Sequence, residues 1–233
     1  MKFENTEVFN FNGALRGMRN PKESWNKNDS YYDIEEVMVD NEVVLERGKY
    51  IIGPNDLQLA QTLIKAGSEH RKFMRQIFVS VDITAPLYWW KEFDTYKVAT
   101  VSNSCSTMHK LADTPITLDC FEMDDFVDFD LESQDMVFPL KSTWESLLSD
   151  LEFCRQKYNE TKDKRYWKEL IRLLPESWLQ KRTVTMNYEN LLGICSKGQR
   201  RFHKLTEWSV DFIQWARNLP YAQDLLFIDE LSK

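Results

Sequence analysis

Residues 86–109 carry the side-chain types that are most typical of a binding pocket. Three consecutive aromatic residues come directly before Lys91, and small polar side chains then dominate positions 100–107. Hydroxyl and amide groups in a row can line a pocket with hydrogen-bond donors and acceptors at close approach. The same pattern also fits an aromatic core face followed by a polar turn, and composition alone leaves both interpretations open.

Two clusters of basic residues could attract an anionic ligand. One lies at residues 69–75 and includes His70, and the other lies at residues 197–204. The whole chain carries 30 Lys and Arg against 37 Asp and Glu, a net charge of -7, so no nucleic-acid partner is expected. Any anionic ligand must therefore be attracted by a local basic patch. The alternative is that both clusters are solvated helix ends, where cations are favoured.

Several common kinds of active site lack their sequence motifs in this chain. The three histidines, His70, His109 and His203, do not show the i, i+4 spacing of a helical zinc site, so no metal is expected. The glycine-rich motifs of dinucleotide-binding, phosphate-loop and hydrolase sites are absent as well. Cys105 and His109 have a spacing that a nucleophile pair could use, but a buried small thiol near a surface imidazole is the favoured interpretation.

The composition also bears on the compartment. The four cysteines are scattered without a CxxC pair, which is typical of reduced thiols in a cytoplasmic protein. No apolar run approaches the roughly 20 residues that span a bilayer, and no secretion signal is recognisable at the N-terminus. We therefore expect a cytoplasmic protein with no membrane partner.

The elements that must position these residues can be predicted from local patterns. Residues 1–32 are polar and rich in Asn, which predicts an irregular segment with at most a short strand near residues 7–11. Residues 34–52 indicate two short strands, and residues 73–83 a strand with period-2 alternation. A helix is predicted between them, starting after Gly53 and ending at Gly67.

The second half of the chain is predicted to be mainly helical. Two amphipathic helices at residues 142–158 and 164–174 form a hairpin, and an acidic loop at residues 113–135 precedes them. A strand at residues 178–186 follows, and further helices are expected at residues 187–194 and 202–216. With no linker recognisable, residues 1–233 are predicted to form one α+β domain.

At residues 50–217 the chain resembles the flavin-dependent thymidylate synthases. That family has Glu-His before a strand, then Arg-His-Arg, a Ser-Asn-Glu-Ser run, Leu-Pro, an Asn twelve residues later, and a final Gln-x-Glu-Ile-Arg. The corresponding positions here are Glu69-His70, Thr95-Tyr96-Lys97, the run of Thr100, Ser102, Asn103 and Cys105, Leu174-Pro175, Asn187 and the segment 207–211. Lys91-Glu92 stands where Arg-Gln is common.

The resemblance implies a fold and an activity. The fold would be an α+β domain with a mixed sheet and flanking helices, assembled as a homotetramer with active sites between subunits. The activity would be methylation of dUMP to dTMP, or a related nucleotide modification, with FAD, NADPH and a folate methyl donor. No protein side chain is assigned as catalytic, because the cofactor carries the chemistry.

The resemblance also assigns binding positions. It implies that the cofactor is bound by His70, Tyr96, Lys97 and Asn187, which would then converge on one pocket. The implied substrate-binding residues are Lys91, Glu92, Ser102, Asn103, Cys105 and Arg201.

The departures from the family pattern predict weaker binding of anions. Thr95, Lys97 and Asp211 stand where the family has arginines that help to hold cofactor and nucleotide. A hydrogen bond to a charged partner contributes roughly 1.5–3 kcal/mol, so their loss matters unless other cations compensate. The candidates for compensation are Arg71, Arg75, Arg172, Arg200 and Arg201. The alternative function is therefore a non-enzymatic homologue that keeps the scaffold for binding a nucleotide or a partner.

Overall fold

The structure is a computed structural model that describes residues 1–40, 42–96, 98–106, 110–124 and 140–231, without the side chains of residues 140, 141 and 201. The strands are β1 (Lys2–Phe9), β2 (Tyr31–Val39), β3 (Glu42–Ile51), β4 (Phe78–Pro86), β5 (Val101–Ser104) and β6 (Leu179–Asn187). The helices are α1 (Phe11–Met18), α2 (Pro54–Lys65), α3 (Leu87–Phe93), α4 (Leu140–Thr161), α5 (Lys164–Leu173), α6 (Tyr188–Ile194), α7 (Lys197–Phe202), α8 (Ile213–Arg217) and α9 (Ala222–Leu225).

Short helical turns complete the described chain. Six are 3-10 turns, at Asn20–Lys22, Trp25–Lys27, Lys72–Gln76, Asp94–Tyr96, Leu118–Cys120 and Ile228–Glu230. A π-helical segment at Glu207–Phe212 leads directly into α8.

Two sheets are present in the described part of the chain. Four strands pair in the order β1-β4-β6-β5, and β2 and β3 form an antiparallel hairpin. In β4 the side chains of Val79, Val81 and Ile83 are fully buried, while the alternate positions are half-buried. This period-2 burial is the pattern that predicts a strand here, because successive side chains of a strand point to opposite faces.

The chain separates into two compact units, each discontinuous in sequence. Unit 1 comprises Met1–Lys2, Asp82–Thr95 and Ser102–Thr183, and unit 2 comprises Phe3–Val81, Tyr96–Val101 and Val184–Lys233. The single domain predicted from the sequence remains a prediction.

Unit 1 is built around the helical hairpin of α4 and α5. Leu151 and Leu170 are fully buried and belong to one apolar cluster with Phe121. The Phe121 ring lies 5.3 Å from Trp144 and 5.4 Å from Trp178 in edge-to-face geometry, an arrangement that aromatic pairs favour. The hairpin predicted from the two amphipathic periods is therefore confirmed for this unit.

Unit 2 has an aromatic core beside α1. The Phe11 ring lies 5.5 Å from Tyr188 and 5.6 Å from Tyr221. The Tyr188 hydroxyl donates to the carbonyl of Pro220 at 2.6 Å, and burial raises the pKa of this phenol. A hydrogen-bonded partner inside the core removes the cost of burying the hydroxyl.

The prediction of an irregular segment at residues 1–32 is wrong in its first half. β1 and α1 are regular elements there, and Phe11, Ala14, Leu15 and Met18 bury one face of α1 at spacings of three and four residues. The Phe3 ring in β1 stacks on Trp215 at 5.0 Å. The contacts of β1 come from residues far along the chain, so the polar local composition was a misleading guide to that strand.

Two further element boundaries differ from prediction. The strand predicted from residue 73 begins at Phe78, because Phe73 and Met74 are buried in the preceding 3-10 turn. The helix predicted at residues 202–216 does not start at Phe202, where α7 ends, and helical structure resumes at Glu207. The first error arises because a short helical turn buries apolar side chains without a regular period. In the second, Phe202 is apolar but 78% exposed, so its residue type was a misleading sign of a buried helix face.

Candidate functional site

His70 lines a cavity of about 450 Å³ in unit 2. The imidazole is carried by the turn after α2, where the backbone N–H of His70 donates to the carbonyl of Gly67 at 3.0 Å. Apolar side chains that form part of the wall are Met18, Leu59, Leu63 and Phe73. A cavity of this size that combines apolar and polar groups is typical of a site for a small-molecule ligand.

Cationic side chains also border this cavity. Lys22 and Lys72 contribute to its lining, together with Glu69. Lys72 and Glu69 form an exposed ion pair of 3.8 Å, in which both side chains are more than 60% exposed. Exposed pairs of this kind contribute little to stability, so Lys72 stays available to an anionic ligand.

Tyr96 belongs to a second polar group of unit 2, together with His203. The Tyr96 hydroxyl lies 3.0 Å from Nε2 of His203 and 3.4 Å from Oε1 of Gln199. The His203 ring stacks on Trp208 with centroids 4.5 Å apart and an interplanar angle of 13°. The indole therefore fixes the plane of the imidazole, and the imidazole in turn orients the hydroxyl of Tyr96.

The first turn of α6 contacts both segments that carry these groups. Arg71, the neighbour of His70, pairs with Glu189 at 3.0 Å. The side-chain amide of Asn190 donates to the backbone carbonyl of Val98, two residues after Tyr96. A single short helix thus ties the His70 segment and the Tyr96 segment into unit 2.

Asn187 holds the start of that helix. Its side chain accepts a hydrogen bond from the N–H of Asn190 at 3.0 Å, and the Asn190 side chain accepts from the N–H of Asn187 at 3.2 Å. Asn187 is 2% exposed. The residue therefore acts as an N-cap in a reciprocal capping box.

The predicted cofactor residues thus occupy three settings: a cavity for His70, a hydrogen-bonded aromatic group for Tyr96, and a helix cap for Asn187. Lys97 lies outside the described residues. Their convergence on one pocket remains a prediction. His203 was not among the predicted site residues, and its only sequence signal was its place in the basic run at residues 197–204.

Most of the predicted substrate-binding residues are exposed in unit 1. Lys91 pairs with Glu176 at 2.7 Å, and the backbone carbonyl of Glu92 accepts from the Thr95 hydroxyl at 2.7 Å. Ser102, Asn103 and Cys105 are exposed on or beside β5. The side chain of Arg201 and the residue His109, the suggested partner of Cys105, lie outside the described part.

Four of the arginines that were candidates for compensation already have partners. Arg71 pairs with Glu189, Arg172 with Glu169, and Arg75 donates to the carbonyl of Ser68 at 3.3 Å. Arg200 is held between Asp229 at 3.0 Å and Glu230 at 2.8 Å. A hydrogen bond from Arg217 also lowers the pKa of the Glu230 carboxyl, so this carboxylate stays charged beside both arginines.

The cysteines in the two cores are unsuited to nucleophilic chemistry. Cys195 is fully buried, and burial raises the pKa of its thiol to about 12. Burial also raises the pKa of the Cys154 thiol. Because the thiolate is the reactive form, both are structural residues.

No three His, Cys, Asp or Glu side chains in the described part of the chain are placed to share a metal ion. None of the helices described there has both the length and the apolar character needed to cross a bilayer.

Comparison with known proteins identifies the fold. No protein-family model matches the chain, and no curated protein matches it. One similar solved structure is the flavin-dependent thymidylate synthase ThyX from Helicobacter pylori complexed with FAD and dUMP, with 15% identity and a TM-score of 0.63 over 98% of this chain and 99% of that one. A second ThyX structure from Helicobacter pylori, with FAD and dUMP, has 15% identity and a TM-score of 0.62 over 100% of both chains. The chain therefore has the predicted α+β fold of the flavin-dependent thymidylate synthases.

Proposed function

We propose that this chain is a divergent flavin-dependent thymidylate synthase-like protein that methylates dUMP to dTMP, or modifies a related nucleotide. The proposal includes FAD as cofactor, NADPH as reductant and a folate as methyl donor. One observation carries it: His70, which the resemblance assigns to the cofactor, lines a cavity of about 450 Å³ in a chain with this fold. We also propose a cytoplasmic homotetramer.

The residues around His70 fit a flavin nucleotide. Met18, Leu63 and Phe73 offer apolar surface to a flat ring system, and Lys22 and Lys72 offer positive charge to phosphate. A bound flavin would supply the redox chemistry that transfer of a one-carbon group from a folate to a nucleotide requires. The protein's own residues would bind and orient the ring and exclude water.

The test is flavin binding by the purified protein and by two variants. We expect absorbance near 450 nm, the region of oxidised flavin, after incubation with FAD and removal of unbound ligand. His70→Ala should weaken FAD binding by roughly tenfold or more, since one hydrogen bond to a charged or polar ligand group accounts for about a decade in affinity. Ser68→Ala, two residues away and not in the cavity lining, should bind FAD normally. A colourless protein that ignores added FAD contradicts the proposal.

The second candidate function is a non-enzymatic nucleotide- or partner-binding homologue. It is favoured by the charges at the family's arginine positions. Thr95 uses its hydroxyl within its own turn, Asp211 is acidic, and four candidate arginines already have partners. At an effective dielectric of about 20, like charges some 4 Å apart repel by roughly 4 kcal/mol, so an acidic side chain near a phosphate would weaken binding strongly.

A turnover assay separates the two functions. With FAD, NADPH and the folate present, the second candidate predicts weak or no dTMP formation, and it predicts that Thr95→Arg with Asp211→Arg raises affinity for dUMP. Robust dTMP formation by the unmodified chain would reject the non-enzymatic function.

A further inference from the structure

A second cavity of about 770 Å³ adjoins the His70 cavity within unit 2. The two share Lys22 and Leu59 in their linings. The cations of the second cavity are Arg19, Lys22 and Lys27, and no Asp or Glu belongs to its lining. Its other lining residues are polar except for Leu59. The pair of cavities therefore combines an apolar compartment with a cationic one.

Two of the three cations of this second cavity remain available, in contrast to the arginines described above. Across the described ranges, Lys22 and Lys27 form no ion pair, and both are exposed. In a chain with a net charge of -7, two unpaired lysines on one cavity make a local positive region. This region lies in residues 1–32, where the sequence resemblance assigns no function.

Arg19 is fixed at the boundary of this cavity by a buried pair. It is 3% exposed; its Nε lies 2.6 Å from Asp56, and its Nη1 donates to the carbonyl of Ser24 at 3.3 Å. Its Nη2 has no hydrogen-bond partner among the described residues. Asp56 offsets the charge of Arg19, and Asp29 caps the first turn of α2 at 2.8 and 3.0 Å. The net attraction for an anion therefore rests on Lys22 and Lys27.

We propose that the cavity of Lys22 and Lys27 binds the phosphate groups of a nucleotide or dinucleotide whose ring system occupies the adjoining His70 cavity. This inference rests on the proposed nucleotide function and names the residues that replace the missing arginines. Lys22 lies between the two compartments and would contact the first phosphate after the ring-bearing part. Lysine binds phosphate as a point charge, so the site selects charge more than the geometry of one phosphate ester.

The experiment measures binding of FAD, riboflavin and inorganic pyrophosphate by calorimetry. The test variant is Lys22→Gln with Lys27→Gln, and the control is Lys65→Gln, an exposed lysine at the end of α2 that lines neither cavity. We expect the test variant to bind FAD and pyrophosphate roughly tenfold or more weakly, which corresponds to about one charge-assisted contact. Riboflavin, which has no phosphate, should bind all three proteins equally. Circular dichroism and thermal unfolding check that the variants are folded.

The outcomes distinguish this inference from the proposed function. If FAD binds the test variant as tightly as the unmodified protein, the phosphate site is wrong although the flavin proposal stands. If FAD does not bind at all but pyrophosphate binds and is lost in the test variant, the phosphate site stands and the flavin proposal fails. If pyrophosphate binds equally to all three proteins or to none, and FAD shows no dependence on the lysines, the phosphate site is rejected.

Discussion

At the scale of single residues, Arg19 and Asp56 form a buried ion pair in unit 2, in which each charge must be compensated by its neighbours. The two side chains are 3% and 0% exposed, and they meet at 2.6 Å. Asp56 also accepts hydrogen bonds from the N–H groups of Asp29 and Ser30 at 3.3 and 3.2 Å. A buried carboxylate is tolerated because its charge and its lone pairs are both satisfied.

Replacing Arg19 by Met should therefore destabilise the protein strongly. The change leaves the Asp56 carboxylate buried without its counter-ion, which typically costs about 3–5 kcal/mol. The measurement is the free energy of unfolding from urea denaturation. Arg16→Met is the matched control, because Arg16 is an exposed arginine in the last turn of α1, three residues before Arg19, and it should change stability by less than about 0.5 kcal/mol. Equal effects of the two changes would show that the pair is unimportant.

The resemblance assigned His70 and Tyr96 to the cofactor, and this assignment remains a prediction. The structure places His70 at a cavity and Tyr96 beside His203. His203, which contacts Tyr96, lies 107 positions away in sequence, and Lys22 lies in a segment predicted to be irregular. Contacts of this kind arise from tertiary packing, which no local pattern encodes.

At the scale of elements, the start of α6 depends on one polar side chain. Asn187→Ala removes the acceptor for the N–H of Asn190 and should lower the free energy of unfolding by about 1 kcal/mol. Asn187→Ser keeps an N-cap acceptor and should retain most of the stability. If Asn187 also binds the cofactor, as the resemblance implies, the Ser variant should still lose FAD affinity. Equal stability of the Ala variant and the unmodified protein would contradict the capping role.

Helix α4 carries a carboxylate whose ionisation contributes to folding. Glu152 accepts hydrogen bonds from Arg155 at 2.6 and 2.7 Å and from the N–H of Ile116 at 3.1 Å. These bonds, chiefly those from Arg155, lower its pKa from the ordinary 4.5 to about 2. Because the folded-state pKa lies below the unfolded one, the stabilisation is complete above about pH 4.5 and is lost as the pH falls toward 2.

Glu152→Gln should consequently be destabilising at neutral pH and nearly neutral at pH 2. The side chain is 25% exposed, so solvent screening limits the expected difference to about 1 kcal/mol. Urea denaturation of both proteins between neutral pH and pH 2 measures it. Glu160→Gln is the control, since Glu160 pairs with Lys157 on the same helix but is 60% exposed. A difference that stays constant with pH would contradict the role of Glu152 ionisation.

The elements that were predicted correctly are those with a strong regular period. β4 and the α4–α5 hairpin show alternating or helical apolar spacing over many residues. β1 was missed because its sequence is polar and its burial is supplied by distant residues such as Trp215. The helical spacing of Phe11, Ala14, Leu15 and Met18 in α1 was present in the sequence but was overlooked within an Asn-rich segment. Sequence patterns therefore indicated the fold class and most of the second half of the chain, while β1 depended on long-range packing.

At the scale of the whole molecule, the likeness to ThyX structures covers nearly the entire chain at 15% identity. A fold can persist at this identity because it needs apolar pattern and volume, which many sequences provide. Anion binding needs specific charges at specific places, and the resemblance implies that those charges differ here at Thr95 and Asp211. The fold was therefore predictable from the layout of landmarks, whereas the replacement cations at Lys22 and Lys27 were not.

The last prediction concerns assembly and rests on the β2–β3 hairpin. Ile34, Met38, Val43 and Leu45 lie on one face of it by register, together with Glu36 and Arg47, and are 67%, 64%, 61% and 65% exposed. An isolated hairpin is only marginally stable in water, and a cluster of exposed large apolar side chains usually marks an interface. We therefore expect light scattering to give a mass several times the 27.8 kDa of one chain.

The double variant Met38→Lys with Leu45→Lys should lower that mass. The control is Glu35→Gln with Glu46→Gln, a pair on the opposite face with the same change in charge, and it should leave the mass unchanged. A mass of 27.8 kDa for the unmodified protein at micromolar concentration would rule out the proposed tetramer.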